Sequence, residues 1–241
     1  MSAFRKRSEQ SSSEVEEVAR RYARRAPVDL DVRYSMLRPE VLLSSQERQR
    51  AIVALLSSHI SSPLSSLQLL EIGCGIGNNL LELIRLGFDP QNLVANELLA
   101  QRASRARDNL PASCRIIEGN AAELPFEANS FDIVYQSTVF TSLLDNSFQE
   151  RLAARMWHWV KPGGAVLWYD FIFDNPSNRD VRGVPVARLK QLFPMGHLTT
   201  KRVTLAPPIS RTVCRLHPSA YHWFNAIPWL RTHIVCWIEK R

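Results

Sequence analysis

Between residues 65 and 175, short apolar runs of strand length alternate with segments whose apolar positions recur at helical spacing. The runs predict strands over 67–73, 92–98, 114–119, 131–137 and 165–171. Helices are expected between them, including 99–109 and 147–160. Such alternation implies parallel pairing with helices on both faces. A helix over 185–193, a strand over 199–206, a short helix over 217–226 and a last strand over 231–239 complete the pattern. Upstream, Val41, Leu42, Ile52, Val53, Leu55, Leu56 and Ile60 keep helical spacing over 40–60, and Ser61-Ser62-Pro63 ends that segment. Residues 14–25 also read as helix. Residues 1–13 are polar and Ser-rich, a composition that favours disorder, and Pro27 to Pro39 reads as a linker. This divides the chain into a tail and helical cap, 1–62, and an α/β domain, 63–241.

The first strand of that domain ends in Leu70-Glu71-Ile72-Gly73-Cys74-Gly75-Ile76-Gly77, and an amphipathic segment follows from Leu80. A strand, a tight glycine turn and a helix stand in succession. Glycines permit positive φ and leave no Cβ in a ligand's way, and the first N–H groups of the helix are unpaired. The spacing Gly-x-Gly-x-Gly departs from the dinucleotide pattern Gly-x-Gly-x-x-Gly, and no phosphate-loop Gly-Lys is present. Glu97, at the end of the second expected strand, stands where a carboxylate grips ribose hydroxyls in such sheets. Next come Ile117-Glu118-Gly119-Asn120-Ala121, the strand Phe131 to Tyr135, and the turn Val160-Lys161-Pro162-Gly163-Gly164.

In this order and spacing, residues 65–175 resemble the class I S-adenosylmethionine-dependent methyltransferases of the small-molecule type. The resemblance implies a Rossmann-like, seven-stranded, mostly parallel sheet with helices on both faces. It also implies an antiparallel last strand inserted beside the fifth, an N-terminal helical lid, and S-adenosylmethionine as cofactor. By the same resemblance Glu71 helps hold the amino acid end of the cofactor, Gly73, Gly75 and Gly77 form the turn beneath it, and Glu97 accepts from both ribose hydroxyls. Leu98 lies against the adenine, Asn120 replaces the usual Asp at the adenine amino group, Ala121 offers its N–H, and the Gln136 backbone meets the methionine end. Each acid also has a plainer reading as a strand-end or surface residue, and Asn120 as a turn residue.

Charge and cysteines narrow the picture. Net charge is +7, and most of the 30 basic residues are Arg. Their densest cluster, Arg20, Arg21, Arg24 and Arg25, follows Glu14, Glu16 and Glu17 at spacings that suit i,i+4 pairing on a solvated helix face. Nucleic acid is therefore not the expected partner. Cys74, Cys114, Cys214 and Cys236 lie far apart, which argues against a metal site and for a reducing cytoplasm. No apolar run is long enough to span a bilayer, and the N-terminus lacks a secretory signal.

Methyl transfer needs alignment of the acceptor and exclusion of water more than it needs a base. Many relatives of the resembled family place a His after the fourth strand. Here Thr138-Val139-Phe140-Thr141-Ser142-Leu143 has none. Asp170, at the tip of the fifth strand, is the candidate catalytic base, with a capping or core-edge acid as the other reading. His197, His217, His222 and His233 are further titratable candidates; His158, between two Trp, reads as structural. Rings, amides and guanidinium groups from Trp168 to Arg182 suit a small-molecule or sugar acceptor. Tyr34, Tyr169, Asn175 and Arg179 are the candidate acceptor contacts, although alternating strand aromatics also build cores. Arg33 and Tyr34 in the linker reach either the cofactor, the acceptor or a packing position, and Pro207, Pro208 and Arg211 offer a further wall. Competing readings are an RNA or protein methyltransferase, a silent scaffold of the same fold, and a nicotinamide oxidoreductase.

Overall fold

The computed structural model describes residues 14–24 and 34–241. Arg25, Arg33, Pro27 and the Ser-rich stretch 1–13 lie outside them. Seven strands form one sheet: β1 (Leu69–Ile72), β2 (Leu93–Glu97), β3 (Arg115–Glu118), β4 (Phe131–Ser137), β5 (Val160–Phe171), β6 (His197–Leu205) and β7 (Arg231–Glu239). Around it lie helices α1 (14–23), α2 (Pro39–His59), α3 (Asn78–Leu86), α4 (Ala100–Asn109), α5 (Asn146–Trp159), α6 (Val186–Leu192), α7 (Pro207–Leu216) and α8 (Ala220–Asn225). The strand order is β3-β2-β1-β4-β5-β7-β6. Strands β1 to β5 are parallel, and β7 enters antiparallel between β5 and β6. β6 therefore points the same way as β5. Chain order reverses between β1 and β4, the place where such sheets open a crevice at their carboxyl ends.

Side-chain alternation divides the core in two. Leu70, Val134, Val166, Trp168, Ile234 and Cys236 join one cluster with Met156, Trp159 and Leu189 of α5 and α6. Leu69, Ile133, Tyr135, Leu167, Val235 and Trp237 join the other, with Ile52 and Leu55 of α2 and Leu80 and Leu83 of α3. Burial on both faces explains why the central strands read as near-continuous apolar runs. It also assigns the acids a side: Glu71 follows Leu69 toward α3, and Asp170 follows Trp168 toward α5.

The chain departs from its local pattern in four places. Strand β5 starts at Val160, because Phe131 pairs Val160 and Ile133 pairs Ala165 across a bulge that contains Pro162-Gly163-Gly164. A Cβ on Gly164 would stand 2.5 Å from the carbonyl oxygen of Asp132, so only glycine passes there. Residues 207–216 form a helix although Pro207 and Pro208 open it; proline suits the first turn, where no N–H is needed. Helix α2 packs into the sheet's own core and so belongs to the same packed body as residues beyond the expected boundary at 62. Finally, among the described residues of the basic cluster, Arg20 pairs on the solvated face with Glu16 at 3.7 Å and Glu17 at 3.1 Å, and the exposed Arg24 reaches Asp180 at 2.9 Å. Arg21 turns inward, for a reason visible only in the folded site.

Candidate active site

Strand β1 delivers Glu71 to the crevice completely buried. Asn79, in the first turn of α3, donates its Nδ2 to Glu71 Oε1 at 2.6 Å. The other oxygen, Oε2, is buried and accepts from none of the described residues. Burial raises the Glu71 carboxyl to about 7, against the opposing pull of Asn79 and Arg48. A half-satisfied buried carboxylate at a glycine turn is an acceptor waiting for a cationic or N–H donor.

The turn itself is held from β2. Glu97 is 4% exposed, which excludes the reading as a surface acid. Its Oε2 accepts from Gly75 N at 2.8 Å and its Oε1 from Leu99 N at 2.9 Å. One carboxylate thus fixes both the turn and the start of α4, and each oxygen retains a second lone pair. Gly73 has φ +66°, and a Cβ there would stand 2.6 Å from Val139 Cγ2; one on Gly77 would stand 2.8 Å from Leu110. All three glycines hold positive φ, +66°, +62° and +90°, a conformation that other side chains rarely adopt. Above Gly75 lies the Arg102 guanidinium, 3.4 Å from where a Cβ would be.

Asn120 caps the short turn Ala121–Glu123: its Oδ1 accepts from Ala122 N at 3.0 Å and its Nδ2 donates to Glu123 at 2.8 Å. Leu98 and Ala121 pack half-buried against the α5-side cluster. Gln136, fully buried, accepts from Val139 N at 3.1 Å and donates to the Tyr169 carbonyl at 3.4 Å, locking the tips of β4 and β5. Asp170 is fully buried as well. Thr141 gives it two bonds, Oγ1 to Oδ1 at 2.6 Å and N to Oδ2 at 3.3 Å, and burial raises its carboxyl to about 7.

The acceptor candidates scatter. Tyr169 is a core residue: its hydroxyl pairs with Thr204 at 3.0 Å, its ring stacks on His233 at 5.2 Å, and the Arg48 guanidinium lies over the ring at 5.4 Å. Ring and hydroxyl are both committed there, and α2 covers that face, so the acceptor contact read for Tyr169 gives way to a packing role. Tyr34 is 63% exposed ahead of α2. Asn175 and Arg179 lie in the loop after β5, where Asn175 Oδ1 turns the backbone by accepting from Ser177 N. Among the histidines, burial lowers His233 to about 4, and His197, His217 and His222 are exposed on the far strands and helices.

Helix α1 was expected from its sequence, but with its arginines on a solvated face rather than turned into the site. Arg21 of α1 is buried, bonded to Glu14 at 2.8 Å and to the Ser142 carbonyl at 3.0 Å. Glu14 also accepts from Leu144 N at 2.8 Å, and Tyr22 lies under Arg102 at 5.1 Å and meets Ser142 Oγ at 3.3 Å. Helix α1 therefore spans from the loop after β4 to the residue above Gly75. The clue was Glu14 standing seven residues from Arg21, a spacing that places both on one helix face. Beside this loop a cleft of about 540 Å³ opens, lined among others by Asn146, Gln149, Phe173, Arg182 and Arg188. Arg182 joins it to the strand tips, because its N–H bonds the Thr141 carbonyl at 2.8 Å.

Comparison with known proteins points to the class of enzyme. Residues 69–164 match the family model of a methyltransferase domain. A sterol 24-C-methyltransferase of Aspergillus fumigatus is 29% identical over 129 residues, covering 48% of this chain and 32% of that protein. A tRNA N(3)-methylcytidine methyltransferase of Drosophila melanogaster is 27% identical over 46% of this chain and 36% of its own. The chain thus spans about a third of the length of the curated relatives it matches. Among solved structures, phosphoethanolamine N-methyltransferase 2 of Haemonchus contortus in complex with S-adenosyl-L-methionine superposes with a TM-score of 0.57. It is 15% identical, over 80% of this chain and 53% of that one.

Proposed function

We propose that this chain, a class I S-adenosylmethionine-dependent methyltransferase, methylates a small-molecule or sugar acceptor at an oxygen or nitrogen. The observation that carries the cofactor half of this reading is the buried, half-satisfied Glu71 beside a glycine turn clamped by Glu97. Those residues fit the cofactor's chemistry. Glu71 Oε2 is free to take the cationic amino acid end, the spare lone pairs of Glu97 suit two ribose hydroxyls, and Leu98 and Ala121 offer an apolar edge and an N–H to the adenine. Asn120 is held by Ala122 and Glu123 and retains an acceptor lone pair for an amino group. Gly73, Gly75 and Gly77 keep the floor of the site free of side chains, and the Gln136 backbone stands at the strand tip beside it. When bound, S-adenosylmethionine supplies the methyl group and the sulfonium leaving group.

The chain's own part is alignment and exclusion of water. The cleft by β5 supports the acceptor half, since its volume suits a small molecule and its ring, amides and guanidinium groups suit a polar one. Asn175 and Arg179 belong to the loop that leads to it. Asp170 acts through Thr141: by holding that hydroxyl and N–H it fixes the loop between the two half-sites, a positioning role that replaces direct proton abstraction. Helix α1, clasped by Arg21 and Glu14, closes the crevice from above.

Transfer of a radiolabelled methyl group from S-adenosylmethionine into fractionated extract tests the proposal. Label in small molecules or carbohydrate is the expected result, and Asp170→Asn lowers its rate without weakening cofactor binding. Label confined to RNA would instead favour the second reading, which the tRNA methyltransferase relative and the net charge of +7 support. Label in protein alone would also reject the small-molecule acceptor.

A further inference from the structure

Between β6 and β7 the chain makes a compact excursion, α7, α8 and a short turn Pro228–Leu230. It is firmly built. Val213, Cys214 and Tyr221 pack with Leu205, the Tyr221 hydroxyl donates to Glu47 of α2 at 2.9 Å, and Ala206 N bonds the Leu230 carbonyl at 2.8 Å, closing its base. Yet it leaves large apolar side chains open to water. Leu216 is 82% exposed, Trp223 79%, Trp229 85%, with Phe224 and Ile227 also open. Five large apolar side chains within fourteen residues, two of them tryptophan, are not the ordinary scatter of surface hydrophobics.

Charge says what meets this side. Between Asp180 and Glu239 the chain contains no acidic residue and eight Lys or Arg. Arg215 lies exposed beside Leu216, Arg211 is half-exposed one turn earlier on α7, and Lys201 and Arg202 are exposed on the adjoining edge strand β6. On the neighbouring helix α2, the carboxylate of Glu40 is paired with Arg38 at 2.7 Å. Tryptophan flanked by arginine, with no carboxylate of its own, suits the boundary between lipid headgroups and acyl chains. There an indole is half-buried with its N–H solvated, and cations meet anionic phosphates.

We propose that this excursion docks the protein on an anionic lipid bilayer surface, peripherally and without spanning it. No helix among the described residues is long and apolar enough to cross one. Position gives the docking a use. β6 runs parallel to β5, so the excursion that follows Leu205 stands at the carboxyl edge of the sheet, the edge that also carries the crevice. A protein seated by Trp223 and Trp229 holds its crevice toward the membrane face, where amphiphilic acceptors reside. The docking itself stands apart from the reading of the acceptor.

The test is cosedimentation of the full chain with vesicles of phosphatidylcholine alone and with vesicles that also contain phosphatidylserine. Binding is expected only with the anionic vesicles, and added salt weakens it. Trp223→Ser with Trp229→Ser lowers that affinity about tenfold or more while circular dichroism and S-adenosylmethionine binding stay as in the wild type. Arg211→Gln with Arg215→Gln also lowers it, and flattens the salt dependence. Failure to bind, equal binding by the tryptophan variant, or a sedimenting dimer that the variant dissociates would overturn the proposal; the last would assign the patch to a second copy of the chain.

Discussion

Glu71→Gln is expected to bind S-adenosylmethionine more weakly and to be more stable than the wild type at alkaline pH. The two effects have one origin. In the folded chain burial lifts the Glu71 carboxyl from its ordinary value of 4.5 to about 7. The folded state therefore holds a proton that the unfolded state releases, and stability falls as pH rises between those two values. Below pH 4 both states are protonated and nothing is lost; above pH 7 the full loss is present. Gln cannot ionise, and its amide keeps the bond from Asn79, so at pH 8 the variant gains about 3 kcal/mol over the wild type. That gain disappears at pH 4. Affinity moves the other way, because a neutral amide attracts a cationic amino group less than a carboxylate does, by about tenfold or more. Chemical denaturation at the two pH values, with cofactor titration at pH 8, separates the effects. A variant destabilised at pH 8, or one that binds cofactor as the wild type does, would remove Glu71 from this role.

Glu97→Ala is expected to lose both affinity and stability, the affinity by about a hundredfold. A ribose-gripping acid on an otherwise independent strand end would cost binding alone. Here the same carboxylate holds Gly75 N and Leu99 N, and truncation leaves the buried Gly75 N–H without a partner, at about 1–3 kcal/mol, and frees the half-buried Leu99 N–H. The turn beneath the cofactor then loses its anchor together with its ribose acceptor. Thermal unfolding and cofactor titration of the same variant check the pair. A folded chain with unchanged melting and weakened binding would show that Glu97 serves only the ribose. Unchanged binding would take it out of the site.

These two residues show what the sequence makes legible and where it stops. The apolar run of β1 breaking into Gly73, Gly75 and Gly77, and the acid closing β2, identify the sheet and the cofactor edge, because both are features of adjacent residues. That Glu97 also clamps the turn is a contact across 22 residues, which no local pattern carries. Tyr169 makes the same point. Alternation shows that it shares a face with Leu167, but not that α2 covers that face. The cleft beside β5 draws Asn146 and Gln149 from α5 and Arg188 from α6, so the acceptor wall seen in 168–182 was only its nearest strip. Helix α7 stayed hidden because Pro207-Pro208 reads as a stop, although the first turn is the one place in a helix where proline costs nothing. Arg21 was hidden by its neighbours: Glu16 and Glu17 account for a solvated basic face, and only the fold turns Arg21 toward Ser142.

Calorimetric titration of the wild-type chain with S-adenosylmethionine at pH 6, in buffers of different ionisation enthalpy, tests whether Glu71 takes the cationic end of the cofactor. If Glu71 takes the cationic end of the cofactor, its carboxyl must ionise on binding, and a proton is released to the buffer. Saturable binding with net proton release, lost in Glu71→Gln, is the expected result. A folded chain that does not bind, or binding with the same proton count in both proteins, would take Glu71 away from the cofactor.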